Sequence, residues 1–213
     1  MKIPKLRNLK STRFLIRRSI NLFISNQLKG KKIPIILDIG AGMGPYQKLI
    51  NYDKYIPLDI ENRSNDPNLI IGDLNKKIPL QNNYADGVIC TEVLEHIKNP
   101  QNALNEIYRV LKKDGFLILT TPMTWPLHEE PHDYYRYTKY GLKYLLENAG
   151  FVNIKIEPSC CYPYTIAQLV VTYLRPKIYV PIVILINIFG VLASKFNQNY
   201  NMPLNNQVVA YKK

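Results

Sequence analysis

The sequence predicts a single α/β domain built on a seven-stranded, mostly parallel sheet with helices on both faces. Three observations predict it. Short runs rich in Ile, Val and Leu alternate with helical periodicity over residues 33–121, the pattern of parallel strands joined by crossovers. The turn Gly40-Ala41-Gly42-Met43-Gly44 closes the first of these runs. Acids (Asp38, Asp59, Asp73, Glu92) lie near the ends of the first four runs, where open α/β sheets bind ligands.

The elements follow in order. Residues 33–39 read as a buried first strand, and Pro45 suits the first turn of a helix continued by Tyr46, Leu49 and Ile50. Strands are predicted at 55–60, 69–71 and 86–91. Asn99 can cap a helix opened by Pro100, with Ala103, Leu104, Ile107, Val110 and Leu111 on its apolar face. Asp114-Gly115 ends that helix before a fifth strand at 116–121. Thr138 can cap a helix carrying Leu142, Leu145, Leu146 and Ala149, which Gly150 stops. Sixth and seventh strands are predicted at 151–157 and 207–211. The organisation is a basic N-terminal helical segment (1–32), a core (33–158), an apolar helical insertion (159–205) and a closing strand (206–213).

Charge is segregated. The net charge is +12, yet all 16 Asp and Glu fall between Asp38 and Glu157, while ten Lys or Arg precede Asp38 and five follow Cys160. An acidic centre suits a cationic ligand. Basic flanks suit phosphate, in nucleic acid or anionic lipid, or serve solubility alone. The apolar residues of 14–24 are broken by Arg17, Arg18 and Asn21, so an amphipathic helix is expected there rather than a signal peptide. Residues 164–174 and 178–193 are strongly apolar, but the second run contains Pro181, Asn187 and Gly190 and sits at or below the length of a spanning helix. An in-plane membrane contact, a lid or dimer surface, and true insertion all remain open. Cys90, Cys160 and Cys161 make no disulfide framework and no zinc spacing; a reducing cytoplasm and no metal are the expectations.

A dinucleotide fingerprint would need glycine at position 45, where Pro45 stands. The observed Asp38-x-Gly40-x-Gly42-x-Gly44 instead resembles the first motif of the class I S-adenosylmethionine-dependent methyltransferases, which share a Rossmann-like fold. Asp59 matches that family's second-strand acid, which binds the ribose hydroxyls. Asp73 in Gly72-Asp73-Leu74 matches its adenine-contacting acid. Residues 86–96, with Glu92, match its fourth-strand segment, and Glu106-Ile107-x-Arg109-Val110-Leu111-Lys112 with Gly115 its helix and turn before strand five. The resemblance spans about residues 35–151. It implies S-adenosyl-L-methionine as cofactor, held by Asp38, Gly40, Ala41, Gly42, Gly44, Asp59, Asp73, Leu74 and Glu92.

The segment 122–138 follows strand five and holds two of the three histidines and the only tryptophan, Trp125. It is similar to a subgroup of the type-11 methyltransferase family with the run W-P-L-H-E-x-P-H-D-Y-Y-R-Y-T, whose members look associated with bacterial surface-glycan or lipid pathways. A hydroxyl or amine acceptor must lose a proton, and histidine is the usual agent near neutral pH. His128 or His132 is therefore the candidate general base, Asp133 its orienting group, and Arg136 the holder of an anionic part of the acceptor. The alternative is a purely structural clasp of His132, Asp133 and Arg136. His96 reads as a helix-end histidine.

The expected function is methylation of a small-molecule, glycan or lipid-linked acceptor at oxygen, with the protein cytoplasmic and peripheral at the inner face of an anionic membrane. Nucleic-acid methylation is disfavoured, because Thr91-Glu92-Val93-Leu94 stands where base methyltransferases resemble one another through an Asn/Asp-Pro-Pro-aromatic segment. The aromatics also do not interleave with basic residues. Cofactor binding without catalysis is the other alternative.

Overall fold

The computed structural model describes residues 9–174, 180–196 and 199–213. A seven-stranded sheet runs in the order β3-β2-β1-β4-β5-β7-β6. Its strands are β1 (Lys32–Ile39), β2 (Asn51–Asp59), β3 (Ile70–Ile71), β4 (Ala85–Thr91), β5 (Leu111–Pro122), β6 (Phe151–Pro158) and β7 (Asn205–Lys212). The pairs among β1 to β5 are parallel, and β7 runs antiparallel between β5 and β6. The helices are α1 (Phe14–Gln27), α2 (Pro100–Val110), α3 (Lys139–Asn148), α4 (Tyr162–Tyr173) and α5 (Val180–Ala193).

Strand alternation divides the core in two. Leu37, Ile39, Val88, Cys90, Leu117, Leu119, Val208 and Ala210 face α2 and α3, while Ile36, Ile89, Ile118 and Val209 face α1 and α4. Each fully buried Leu or Ile is worth roughly 1.5–3 kcal/mol. The predicted caps form: Asn99 Oδ1 accepts from Asn102 N at 3.2 Å and Thr138 Oγ1 from Gly141 N at 3.2 Å. The Glu106–Arg109 pair is a structural clamp, with Arg109 donating to the carbonyls of Ile78 and Leu80 at 2.9 and 2.8 Å.

Two expectations need correction. No α-helix follows the glycine turn; only a 3-10 turn, Gln47–Leu49, lies between it and β2, because β2 already begins at Asn51 and leaves too few residues. β5 pairs from Leu111, then skips to Phe116 around Asp114, which takes φ +61°. The apolar face of α1 is spent on the sheet, burying Leu15, Ile20, Phe23 and Ile24, so α1 cannot present that face to a membrane.

The insertion is bound to the N-terminal segment. Gln168 Oε1 accepts from Ile16 N at 3.1 Å, Tyr164 Oη donates to Leu15 O at 2.8 Å, and Asn187 Nδ2 donates to Leu9 O at 2.7 Å. A side chain at Gly190 would lie 2.8 Å from Ala167 Cβ, so glycine lets α5 approach α4 closely. The outer face keeps Ile182, Leu185, Phe189, Leu192, Val170 and Tyr173 exposed. No helix of the described residues is long and apolar enough to cross a membrane.

Candidate functional site

The carboxyl ends of β1 to β5 gather the predicted residues at one edge of the sheet. Chain progress reverses between β1 and β4, the switch point where such sheets open a crevice. Gly40 sits there at φ +70°, and a side-chain carbon on it would fall 2.2 Å from Val93 Cγ2. Glycine is thus required both for the backbone and for the close seat of the loop on the turn after β4. Beside Gly42 and Gly44 the space is open, which leaves room for a ligand. The loop amides are engaged within the protein. Gly40 N and Ala41 N donate to Leu58 O at 2.8 and 3.1 Å, and Gly42 N donates to Asp59 Oδ2 at 2.8 Å. The side chains of Ala41 and Leu74 are buried, so their backbones alone can border the crevice.

The four acids differ in environment. Asp38 is fully buried; the Tyr55 hydroxyl donates to its Oδ2, and Oδ1 has no hydrogen-bond partner among the described residues. Burial pushes Asp38 up to about 7, with the Tyr55 hydrogen bond opposing and the charge of Asp59 adding to the rise. Asp59 lies half-buried at the end of β2, accepting from Gly42 N and from Ile60 N at 2.7 Å. Its remaining lone pairs can accept from a diol. Asp73 Oδ1 accepts from Asn75 N at 2.9 Å and Nδ2 at 3.1 Å, so it builds its own turn as well as lining the edge. Glu92 takes φ +53°, and its Oε1 accepts from Thr120 Oγ1 at 2.7 Å and Asn205 Nδ2 at 3.0 Å. Burial raises Glu92 above the usual carboxylate range. Exposed apolar Met43, Ile60 and Ile71 flank Asp59 and Asp73. Sequence reasoning passed over them; their position just beyond strand ends was the available signal.

Unpaired buried polar atoms concentrate at this edge: Asp38 Oδ1, both Glu95 carboxyl oxygens, Thr121 Oγ1 and Asn205 Oδ1. Buried polar atoms are normally satisfied, so the concentration fits a polar ligand. An adenosyl sulfonium, with a diol, a purine and a positive charge, matches a rim carboxylate, exposed apolar side chains and an acidic interior.

The 122–138 segment folds over the turn that follows β4. Tyr134 N donates to Glu95 O at 2.9 Å, Tyr137 Oη to Leu94 O at 3.1 Å, and Tyr135 Oη to Lys98 O at 2.9 Å. Asp133 is the hub. It accepts from Arg136 at 2.6 and 2.7 Å and from His128 N at 3.0 Å, and it lies 3.2 Å from His128 Nδ1. The Arg136 guanidinium holds Asp133 well below the usual carboxylate range, and burial lowers His128 from its ordinary value. Arg136 also donates to the carbonyls of Trp125, Pro126 and Tyr135. Its donors are committed to the loop, so it is a clasp and not the holder of an anionic acceptor. Asp133 stands against His128 Nδ1, the placement an orienting group needs. His132 does not join it: its ring is exposed, with Nδ1 3.0 Å from Tyr134 Oη.

Glu95 and His96 also enter the site, though sequence reasoning gave Glu95 no role and His96 only a helix-end one. Glu95 is fully buried, and burial together with the charge of Glu92 raises its carboxyl well above the usual range. His96 Nε2 and His128 Nε2 lie 3.7 and 3.8 Å from Glu95 Oε1, with the two rings edge-to-face.

The methyltransferase-domain family model matches residues 37–119. No curated protein sequence matches the chain. Among solved structures, a SAM-dependent methyltransferase from Archaeoglobus fulgidus is similar at 23% identity and TM-score 0.62, with 94% of each chain covered. Phosphoethanolamine N-methyltransferase 2 of Haemonchus contortus, solved with S-adenosyl-L-methionine, aligns at 18% identity and TM-score 0.60 over 90% of this chain, which spans 52% of that enzyme. A putative sarcosine dimethylglycine methyltransferase from Galdieria sulphuraria aligns at 17% identity and TM-score 0.57, covering 95% of this chain and 85% of that one. The glycine turn at the β1/β4 switch point and the acids ranged along the same sheet edge lie in the stretch that matches the methyltransferase-domain model, and the chain shares its fold with these S-adenosylmethionine-dependent methyltransferases.

Proposed function

We propose that the methyl group goes to an oxygen of a small-molecule, glycan or lipid-linked acceptor bound beneath the 122–138 segment. The cofactor supplies a methyl carbon activated by its sulfonium. Asp59 holds the ribose hydroxyls, Gly42 and Gly44 leave space for the cofactor against the backbone, and Asp38 and Glu92 keep the crevice acidic. The acceptor proton leaves at the cluster of Glu95, His96 and His128. The observation carrying this reading is that Asp133, locked by Arg136, fixes the His128 ring with Nε2 turned towards a fully buried carboxyl. The same turn after β4 seats the cofactor loop through Val93 and supplies Glu95 and His96, which supports one continuous site.

The test is turnover of labelled cofactor with fractionated cell extract, comparing His128→Ala with His132→Ala. His128→Ala should lose turnover while keeping cofactor affinity, and His132→Ala should keep both. The opposite ranking would overturn the assignment. Mass analysis of the labelled product separates oxygen from nitrogen acceptors, the latter being the chemistry of the Haemonchus enzyme by its name.

The exposed apolar face of α4 and α5, on a chain of net charge +12, further supports peripheral contact with an anionic membrane at its cytoplasmic face. Anionic vesicles should retain the protein and neutral ones should not, with Leu185→Asp/Phe189→Asp weakening retention. Equal recovery on both vesicle types would refute the contact. Truncation of residues 1–32 is no test, since α1 belongs to the core.

A further inference from the structure

We propose that Glu95, His96 and His128 form a binding site for a divalent transition-metal cation of the zinc class. The inference deepens the preceding reading, since it rests on that cluster being where the acceptor is activated.

Three features carry it. First, the spacing is wrong for hydrogen bonds and right for coordination. His96 Nε2 and His128 Nε2 stand 3.7 and 3.8 Å from Glu95 Oε1, and one ligand atom from each of the three residues lies within 4.8 Å of the others. Hydrogen bonds at these atoms would close to about 3 Å. Two bonds of about 2.1 Å at a tetrahedral angle instead separate their donor atoms by about 3.4 Å. Second, Glu95 is fully buried, and neither of its carboxyl oxygens has a hydrogen-bond partner among the described residues, although it points between two imidazoles.

Third, both rings are locked in the tautomer a metal requires. His96 Nδ1 lies 2.8 Å from His132 O, and a carbonyl only accepts, so Nδ1 carries the hydrogen and Nε2 the lone pair. His128 Nδ1 lies 3.2 Å from Asp133 Oδ2, whose carboxylate is held ionised by Arg136, so the same assignment follows. A carboxylate or carbonyl behind each ligating histidine is the usual outer support of a metal site.

Two imidazoles and one carboxylate select zinc, iron or manganese over magnesium or calcium. His96 and His128 are each partly exposed, and Glu129 Oε2 stands 3.8 Å from His96 Nε2 on the open side. The remaining coordination positions thus face the acceptor segment, where a cation would lower the pKa of a hydroxyl and, with both Nε2 lone pairs engaged, its proton would pass to bulk water.

The experiment is zinc titration by calorimetry of the chelator-treated full chain, with S-adenosylhomocysteine affinity measured on the same sample. One equivalent of Zn2+ should bind, with no comparable uptake of Mg2+. His96→Gln, His128→Gln and Glu95→Gln should each weaken zinc at least tenfold, and Asp133→Asn should weaken it roughly 10–100-fold through the lost support. His132→Ala should leave it unchanged, which excludes chance binding by surface histidine. Thermal melting reports whether Glu95→Gln still folds, and the two histidine variants carry the test if it does not. Absence of stoichiometric zinc, or zinc affinity unchanged from the parent in His96→Gln and His128→Gln, overturns the cation site. Normal homocysteine-adduct binding in that event leaves methyl transfer standing.

Discussion

Replacing Asp38 by Asn isolates the cost of the acidic interior. Asp38 is fully buried and keeps one hydrogen bond, from Tyr55, with its other oxygen unpartnered among the described residues. The folded chain holds the Asp38 proton up to about 7, against 3.8 for the free side chain. Between about pH 4 and pH 7 the fold therefore binds a proton that the unfolded chain has released. Stability falls as pH rises through that window and levels off above it. The shift corresponds to about 4 kcal/mol at pH 8. Asn stays neutral and still accepts from Tyr55, but its amide replaces the unpartnered oxygen at a cost of about 1–3 kcal/mol. Asp38→Asn should therefore be about 1–3 kcal/mol more stable than the parent near pH 8 and within about 1 kcal/mol of it near pH 5. Urea unfolding of the cofactor-free proteins at the two pH values reads the difference, and subtracting variant from parent cancels titration elsewhere. A parent-minus-variant stability that does not change between the two pH values would refute the reasoning. Calorimetry on the same pair should show weaker S-adenosylmethionine binding by the variant at pH 8, because the buried negative charge is gone.

Two further outcomes follow from the same edge of the sheet. Gly40→Ala meets Val93 Cγ2 at 2.2 Å and a φ of +70°, so cofactor affinity should drop by about tenfold or more, with about 1–2 kcal/mol of backbone strain; unchanged affinity by calorimetry would count against the seating of the loop. Arg136→Lys keeps a charge but loses the paired hydrogen bonds to Asp133, so kcat should fall roughly tenfold or more at unchanged cofactor affinity. A fall in cofactor affinity instead would move Arg136 into the cofactor pocket.

The strands, the caps of α2 and α3 and the acids at the strand ends were legible because each is written in neighbouring residues. Ile36 and Leu37 alternate faces by the pleat alone, and Asn99 caps by reaching three residues along. Asp38, Asp59 and Glu92 arrive at one edge because parallel strands share a direction. The missing helix after Gly44 was not legible, because Pro45, Tyr46 and Leu49 suit a helix locally and only the early start of β2 forbids it. Arg136 reads in sequence as a free cation, and five donors aimed at its own loop become visible only when the loop is closed.

The alternation of strand and helix patterns along the chain was enough, by itself, to predict a parallel sheet and its ligand-binding edge, since these depend on periodicity and on spacing within single strand–turn units, while the adenosyl sulfonium cofactor was implied by the resemblance of the glycine and acid motifs to a known family. Tertiary structure alone decided the partners of the insertion and of Glu95. The apolar run of α4 and α5 shows no partner in sequence, and only in the fold are Tyr164, Gln168 and Asn187 seen bonded to the segment leading into and through α1. His128 reaches Glu95 and His96 across more than thirty residues, and separations of that kind are set by how β4 and β5 pair and how the loop folds back, which no local pattern encodes.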